Sequence, residues 1–278
     1  MTVIGKLRPV GELLRDWRQR RRMSQLDLAC EVGISTKHLS FLETGRSHPS
    51  REMVLNLAER LGVPLRDQNI LLGAAGYTPA FSERLPDDPA LLVARRSIDM
   101  LLAAHDPNPA LAIDRHWTMV SWNKGVMNLA AGADPLLLRP PVNLLRLSLH
   151  PAGLAPRIAN LPAWRAHIIQ RLRRQIETAG DTVLIDLLEE ILDYPVGDAS
   201  GRAPPDPDDV AVPFRLVTID GILSFYATTM VFGAPIDVTL SELAIEAFFP
   251  TDAETTRIMR EMADGTISRP MGPQSAAG

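Results

Sequence analysis

The stretch SQLDLACEVGISTKHLSFLETGRSHP, residues 24–49, reads as two short helices meeting at an angle across a tight turn. Ser24 is an N-cap, with Asp27 three residues on as an imperfect capping box. Leu28, Ala29 and Val32 follow as an apolar stripe at helical spacing. Gly33 ends that helix, because a residue that tolerates positive φ stops it cheaply. Ile34 anchors the turn from inside, and Ser35 caps the next helix, in which Leu39 and Leu42 face the core. Thr36, Lys37, His38, Ser40 and Phe41 are left for the outer face. A short helix presenting such a face from a helix-turn-helix fits the major groove of double-stranded DNA.

Outward from this stretch, residues 9–21 predict a first helix with Val10, Leu13, Leu14 and Trp17 on one face. The basic run 18–22 ends it, and some of those arginines are expected on phosphates rather than simply in solvent. Beyond the loop 45–49, Ser50 caps a fourth helix running to Leu61, and Gly62-Val63-Pro64 breaks it. A fifth spans about 65–75, with Ile70, Leu71 and Leu72 closing an all-α bundle over residues 1–76. This head carries 12 Lys+Arg against 8 Asp+Glu, a charge of +4; the rest carries 17 against 25, a charge of −8. Only the head is therefore expected to meet nucleic acid. The single Cys30 excludes an internal disulfide and is expected as a small apolar side chain inside the head.

Leu14-Arg15, Arg18, Ser24-Gln25, Leu28-Ala29, Gly33-Ile34-Ser35, Leu39-Ser40, Leu42-Glu43, Gly45-Arg46, Pro49-Ser50, Leu57-Ala58 and Leu61-Gly62-Val63 together resemble the lambda-repressor/Cro-type helix-turn-helix, the xenobiotic-response-element family. The resemblance implies that Thr36 and Lys37 meet base edges, with Ser35, His38, Ser40 and Phe41 around them. It places Gln25 and Arg46 on phosphates, and pairs Arg18 with Glu43. A homodimer on a palindromic operator is the expected mode of binding.

Residues 77–89, with three prolines and three acidic residues and no periodic pattern, are expected to be a flexible linker. A second domain then spans 90–263. Residues 90–104 predict an amphipathic helix built on Leu91, Leu92, Ile98, Leu101 and Leu102, packed on its own domain or serving as a dimer helix. Residues 110–122 read as two strands with a turn near 114–116. Helices follow over 123–131, 143–149, 161–179 and, capped by Asp181, to about Asp193, with Leu184, Leu187, Leu188, Ile191 and Leu192 inward. The Pro/Gly/Asp-rich 195–210 is expected to be a mobile loop. Asp220-Gly221 marks a hairpin between strands 212–219 and 222–232. A last strand covers 242–249, alternating only loosely, and Thr251-Asp252-Ala253-Glu254 is a capping box opening a final helix. The tail 264–278 is expected to be disordered. The fold class is α+β: a five-helix head, then a PAS-like antiparallel sheet with a helical layer across one face.

Asp114-Arg115, Trp117, Val120, Trp122-Asn123 and Asn143-Leu144-Leu145-Arg146-Leu147 resemble the ligand-binding domain of MmyB-like transcription regulators. That resemblance implies a regulator responsive to an apolar small molecule, such as a fatty acid. The candidate ligand-binding residues are Trp122, Asn123, Met127, Arg146, Phe225 and Met230, with Arg146 receiving an acidic head and Asn123 read first as a helix cap. The chain departs from the family's His-Pro-x-x-Gly type pattern, which leaves the ligand open. With aromatic residues at 5%, the interior is expected to be aliphatic, which suits an acyl chain. No phosphate loop, Gly-x-Ser-x-Gly elbow or His-Glu-x-x-His occurs, and the six histidines are scattered, so neither enzyme, cofactor nor metal is expected. The opening residues lack a signal peptide's apolar run, and a cytoplasmic protein without membrane contact is expected. Two alternatives stay open: a constitutive repressor whose second domain only dimerises, and an enzyme domain autoregulated by the head.

Overall fold

The computed structural model of the chain describes residues 8–85, 88–195 and 211–265. The chain divides into two compact units: residues up to 86 together with 177–179 and 234–241, and the remainder.

The head folds as α1 (Val10–Arg20), α2 (Gln25–Val32), α3 (Thr36–Glu43), α4 (Arg51–Arg60) and α5 (Leu65–Ala74). Ser24 forms a full capping box: its hydroxyl accepts from Asp27 N at 3.1 Å, and Asp27 accepts from Ser24 N at 3.0 Å. Asp thus closes the box that Glu or Gln more often closes. The Ser24 hydroxyl and N–H hold the Asp27 carboxyl below the usual carboxylate range. Gly33, at φ 69°, ends α2 in the left-handed region. Leu14, Trp17, Leu28, Leu39, Leu42, Leu57, Leu71 and Leu72 form the buried core. Gly11 brings α1 against the end of α3 at backbone contact. A Cβ on Gly11 would lie 2.3 Å from the Leu42 carbonyl oxygen, so no side chain fits there without moving the helices apart.

Three expectations for the head change. Cys30 is exposed, because it sits on the outward side of α2, next to the buried Ala29. Ile70 is exposed, since Gln68, Leu71 and Leu72 take the inner face of α5. The first seven residues of the expected linker are tied to the bundle. Tyr77 Oη donates to Pro49 O at 3.0 Å, the Asn69 carboxamide accepts from Ala80 N and Phe81 N at 2.9 and 3.1 Å, and Arg66 pairs with Glu83.

The body contains α6 (Leu92–His105), β1 (Ala110–Ile113), β2 (Met119–Trp122), α7 (Lys124–Ala130), α8 (Leu144–Leu149), α9 (Leu161–Ala179), α10 (Thr182–Asp193), β3 (Phe214–Thr218) and β4 (Gly221–Val231). After α11 (Val238–Ser241), which belongs to the first unit, come β5 (Ala244–Pro250) and α12 (Ala253–Ala263) of the body. The strands form one antiparallel sheet in the order β2-β1-β5-β4-β3. Every residue of β1 is buried. Leu111 and Ile113 join the main core with the helical layer, whereas Ala110 and Ala112 pack with Ile98 and Leu102 of α6. Both faces of the sheet are therefore covered around β1, not one, which explains an apolar run without alternation there. Leu92 and Leu101 of α6, expected inward, are exposed, as is Leu192 of α10.

Two local corrections concern turns and caps. Thr218 pairs with Gly221, so the hairpin turn is Ile219-Asp220, one residue earlier than Asp220-Gly221 suggests. Gly221 opens β4 at φ 138°, a conformation that favours glycine. The cap of α12 is Asp252, whose carboxylate accepts from Thr255 N at 2.6 Å, in place of Thr251. The expectations for the 195–210 loop and the tail fall on residues 196–210 and 266–278, outside the described residues. Among the described residues, no helix is long and apolar enough to cross a membrane.

Candidate functional site

Two surfaces carry the functional residues, one in each unit. In the head, Ser35 caps α3 by accepting from His38 N at 3.1 Å, which frees the first turn to face outward. Ser35 and Lys37 are exposed, and Thr36, His38, Ser40 and Phe41 are partly so, while Leu39 and Leu42 are buried. Gly45, at φ 71°, reverses the chain so that Arg46 N bonds Phe41 O at 2.8 Å. That turn brings the Arg46 guanidinium to 5.8 Å from the Phe41 ring centre, while Lys37 Nζ lies 5.6 Å from it. Both cations thus lie within about 6 Å of the ring, close enough to be attracted to its face.

Gln25 is placed differently from its expected phosphate role. Its amide donates to Glu43 Oε2 at 2.8 Å. Glu43 also takes a two-pronged contact from Arg18, Nε to Oε1 at 2.6 Å and Nη2 to Oε2 at 2.9 Å. Arg18 Nη1 donates to Met23 O at 2.8 Å. The resulting brace ties α1, the start of α2 and the end of α3 together, with the Glu43 side chain 1% exposed. The hydrogen bond to Glu43 raises the Arg18 pKa, so the guanidinium stays charged at any pH the fold survives.

In the body, a cavity of about 60 Å³ lies between the sheet and α7, α8 and α9. Its walls are apolar side chains apart from Ser148, Arg171 and Glu246 and the indole N–H groups of Trp117 and Trp164. Both indoles are satisfied, Trp117 by Gln175 at 2.9 Å and Trp164 by Ser148 at 3.1 Å. Arg171 on α9 reaches Glu246 on β5 with two hydrogen bonds, Nη1 to Oε2 at 3.0 Å and Nη2 to Oε1. Thr229 on β4 completes the cluster, accepting from Arg171 at 2.8 Å and donating to Glu246 at 3.0 Å. Glu246 is 2% exposed and Arg171 31%. The guanidinium also lies 4.5 Å from the Trp117 ring centre. Trp117 itself has φ 65°, uncommon for a bulky residue, and such strain gathers at functional sites. Burial lowers the pKa of His167, which stacks on Trp164.

None of the six sequence-named ligand residues lines this cavity. Trp122, Met127 and Met230 are exposed, and Phe225 is fully buried among core side chains. Asn123 caps α7 and spends both ends of its amide on backbone, donating to Asn108 O at 2.7 Å and Leu102 O at 3.1 Å and accepting from Ala110 N at 3.0 Å. Arg146 is tied at the surface to Glu190, at 2.6 Å, which raises its pKa and lowers that of the carboxyl. The expected aliphatic interior is also corrected: Trp117, Trp164, Phe214 and Phe248 concentrate four aromatic rings on one small cavity. Among the described residues, no group of three His, Cys, Asp or Glu could hold a metal ion.

The profile of the MmyB-like transcription regulator ligand binding domain matches residues 94–262, and a helix-turn-helix profile matches residues 14–68. An HTH-type transcriptional regulator of Mycobacterium bovis is 34% identical over 113 residues, covering 38% of this chain and 38% of that protein. The HTH-type transcriptional regulator DdrOP3 of Deinococcus deserti is 37% identical over 83 residues, 30% of this chain and 63% of the relative. The chain thus spans less than two thirds of the length of these relatives. Since the ligand-binding-domain match takes in more than half of its residues, the chain belongs to the MmyB-like family of transcription regulators, with a helix-turn-helix ahead of a ligand-binding domain.

Proposed function

We propose that the protein is a cytoplasmic, sequence-specific repressor or activator that binds a palindromic operator as a homodimer and is controlled by a small apolar ligand in a PAS-like domain. The observation that carries this reading is the almost wholly apolar cavity between sheet and helices. The strand order β2-β1-β5-β4-β3 with the helical layer on the cavity face supports the PAS-like comparison. A filled core would have favoured a purely dimerising domain, and a cleft of converging polar groups an enzyme. The exposed side of α6, with Val93, Met100 and Leu101, supports it as the dimer helix.

The head reads base edges with Thr36 and Lys37, and Phe41 offers an apolar face to a thymine methyl group. Arg46 supplies phosphate contact, and Gln25 does so through the amide proton not given to Glu43. Lys37→Ala is expected to weaken operator binding by about 1–3 kcal/mol and relax one base position. A binding-site selection returning the same base preferences for both proteins would contradict this.

The ligand must bind the DNA-competent and incompetent arrangements unequally to regulate. A dry cavity of about 150 Å³ admits benzene, so at 60 Å³ any organic ligand, compact or long, enters only as side chains give way. The test is to strip the full chain of bound lipid, titrate it with fatty acids and alcohols of six to eighteen carbons, and follow operator affinity. A ligand that changes operator affinity supports the reading. Binding without that change, or no binding, leaves the constitutive repressor.

A further inference from the structure

The polar groups on the cavity wall define what the head of a ligand can be. Arg171 and Glu246 neutralise one another, so the wall carries no net charge to offer. Glu246 is buried and holds the guanidinium on both prongs. An ionised carboxylate entering here would give up its hydration, meet a cation already committed to Glu246, and lie beside a buried negative charge. An ammonium would meet the reverse problem at Arg171. What the polar residues of the wall leave unspent are hydrogen-bond donors. Arg171 uses three of its five N–H groups, one on each Glu246 oxygen and one on Thr229, and so retains two. Ser148 accepts from Trp164, which leaves its own hydroxyl proton to give. The surrounding rings and aliphatic side chains make the remainder of the ligand apolar, and the small volume favours a short one, for which the fewest side chains must give way.

We infer that the effector of this domain is a compact aliphatic molecule with an uncharged hydrogen-bond-accepting head, an amide, ester or alcohol oxygen, and not a free carboxylate. The inference rests on the ligand-sensor reading above. Arg171 and Ser148 orient that oxygen, and Glu246 acts as the element that rejects anions by keeping the guanidinium occupied. Selectivity of this kind follows from leaving the wrong head group desolvated and unpaired.

The experiment compares hexanamide, hexan-1-ol and hexanoate, matched in chain length, binding to the full wild-type chain at neutral pH by calorimetry. The expected result is an affinity at least tenfold higher for hexanamide or hexan-1-ol than for hexanoate. In Glu246→Gln the guanidinium is released from its counter-charge, and hexanoate should gain at least tenfold over its binding to wild type. Hexanoate binding wild type as tightly as the neutral molecules overturns the inference and leaves the ligand-sensor reading standing. Failure of all three to bind wild type overturns the inference, while the sensor reading is decided by the six-to-eighteen-carbon titration above. The wild-type comparison decides the matter even if the variant does not fold.

Discussion

Glu43→Gln is expected to lower the stability of the head by about 3–5 kcal/mol, because it leaves the Arg18 charge buried without its counter-ion. Arg18 is 8% exposed and Glu43 5%, so water cannot replace the lost carboxylate. Gln retains one oxygen for Arg18, but its amide nitrogen would face a guanidinium or the Gln25 amide, donor against donor. The brace joins three helices, so its loss is not confined to one contact: the end of α3 loosens from α1 exactly where Gly11 lets the backbones touch. For a unit of this size such a loss lowers the melting temperature by about 10 °C or more. Two domains need not unfold as one, so calorimetry of the full chain should show the lower transition moving while the other stays. An unmoved transition would mean that the pair contributes nothing, as exposed pairs often do.

Elements held by local chemistry were legible in the sequence. Ser24, Ser35, Ser50 and Asp181 each cap the helix they were expected to cap, because a short polar side chain before an apolar stripe has one economical use. Helix α9 also spans the expected residues, with Pro162 in its first turn and Gly180 at φ 65° closing it, although Asn160 makes no side-chain cap. The hairpin was legible but not its register, since Gly221 serves β4 and not the turn. The Arg18–Glu43 pair was reachable only through resemblance, its partners being 25 residues apart. Gly11 gave no signal, because a glycine inside a helix looks like a weak position until the crossing carbonyl of Leu42 is seen.

The cavity was not legible, and its residues show why. Arg171 stands beside Arg173 and Arg174 on a long helix, a pattern indistinguishable from a solvated face. Its partner lies 75 residues away. One signal was present: the last strand alternates poorly because Ile245, Glu246 and Ala247 are all buried, and a carboxylate within such a run needs a cation somewhere. The low overall aromatic content also misled, since an average over the chain says nothing about four rings gathered on one wall.

Arg171→Leu should have the larger effect of the two possible deletions in the body's ion pair. The partners are unequal: Arg171 is 31% exposed, whereas Glu246 is 2%. Removing the arginine strands a carboxylate that solvent cannot reach and that keeps only the Thr229 hydroxyl, and it also removes the cation from the Trp117 ring. The expected cost is about 3 kcal/mol or more, a fall of roughly 6–12 °C for a domain of this size. Glu246→Gln leaves a guanidinium that water already reaches where it stands, so its cost should be clearly smaller. Pairing Arg171→Leu with Glu246→Met replaces both charges by apolar groups of similar bulk and should recover most of the loss, because a buried pair contributes little beyond a well-packed apolar pair while a half-pair is strongly unfavourable. Thermal unfolding of the full chain would show this as a body transition lowest in Arg171→Leu, with the double variant near wild type. Equal losses in Arg171→Leu and in the double variant would instead mean that the arginine acts through packing on Trp117 and not through its charge.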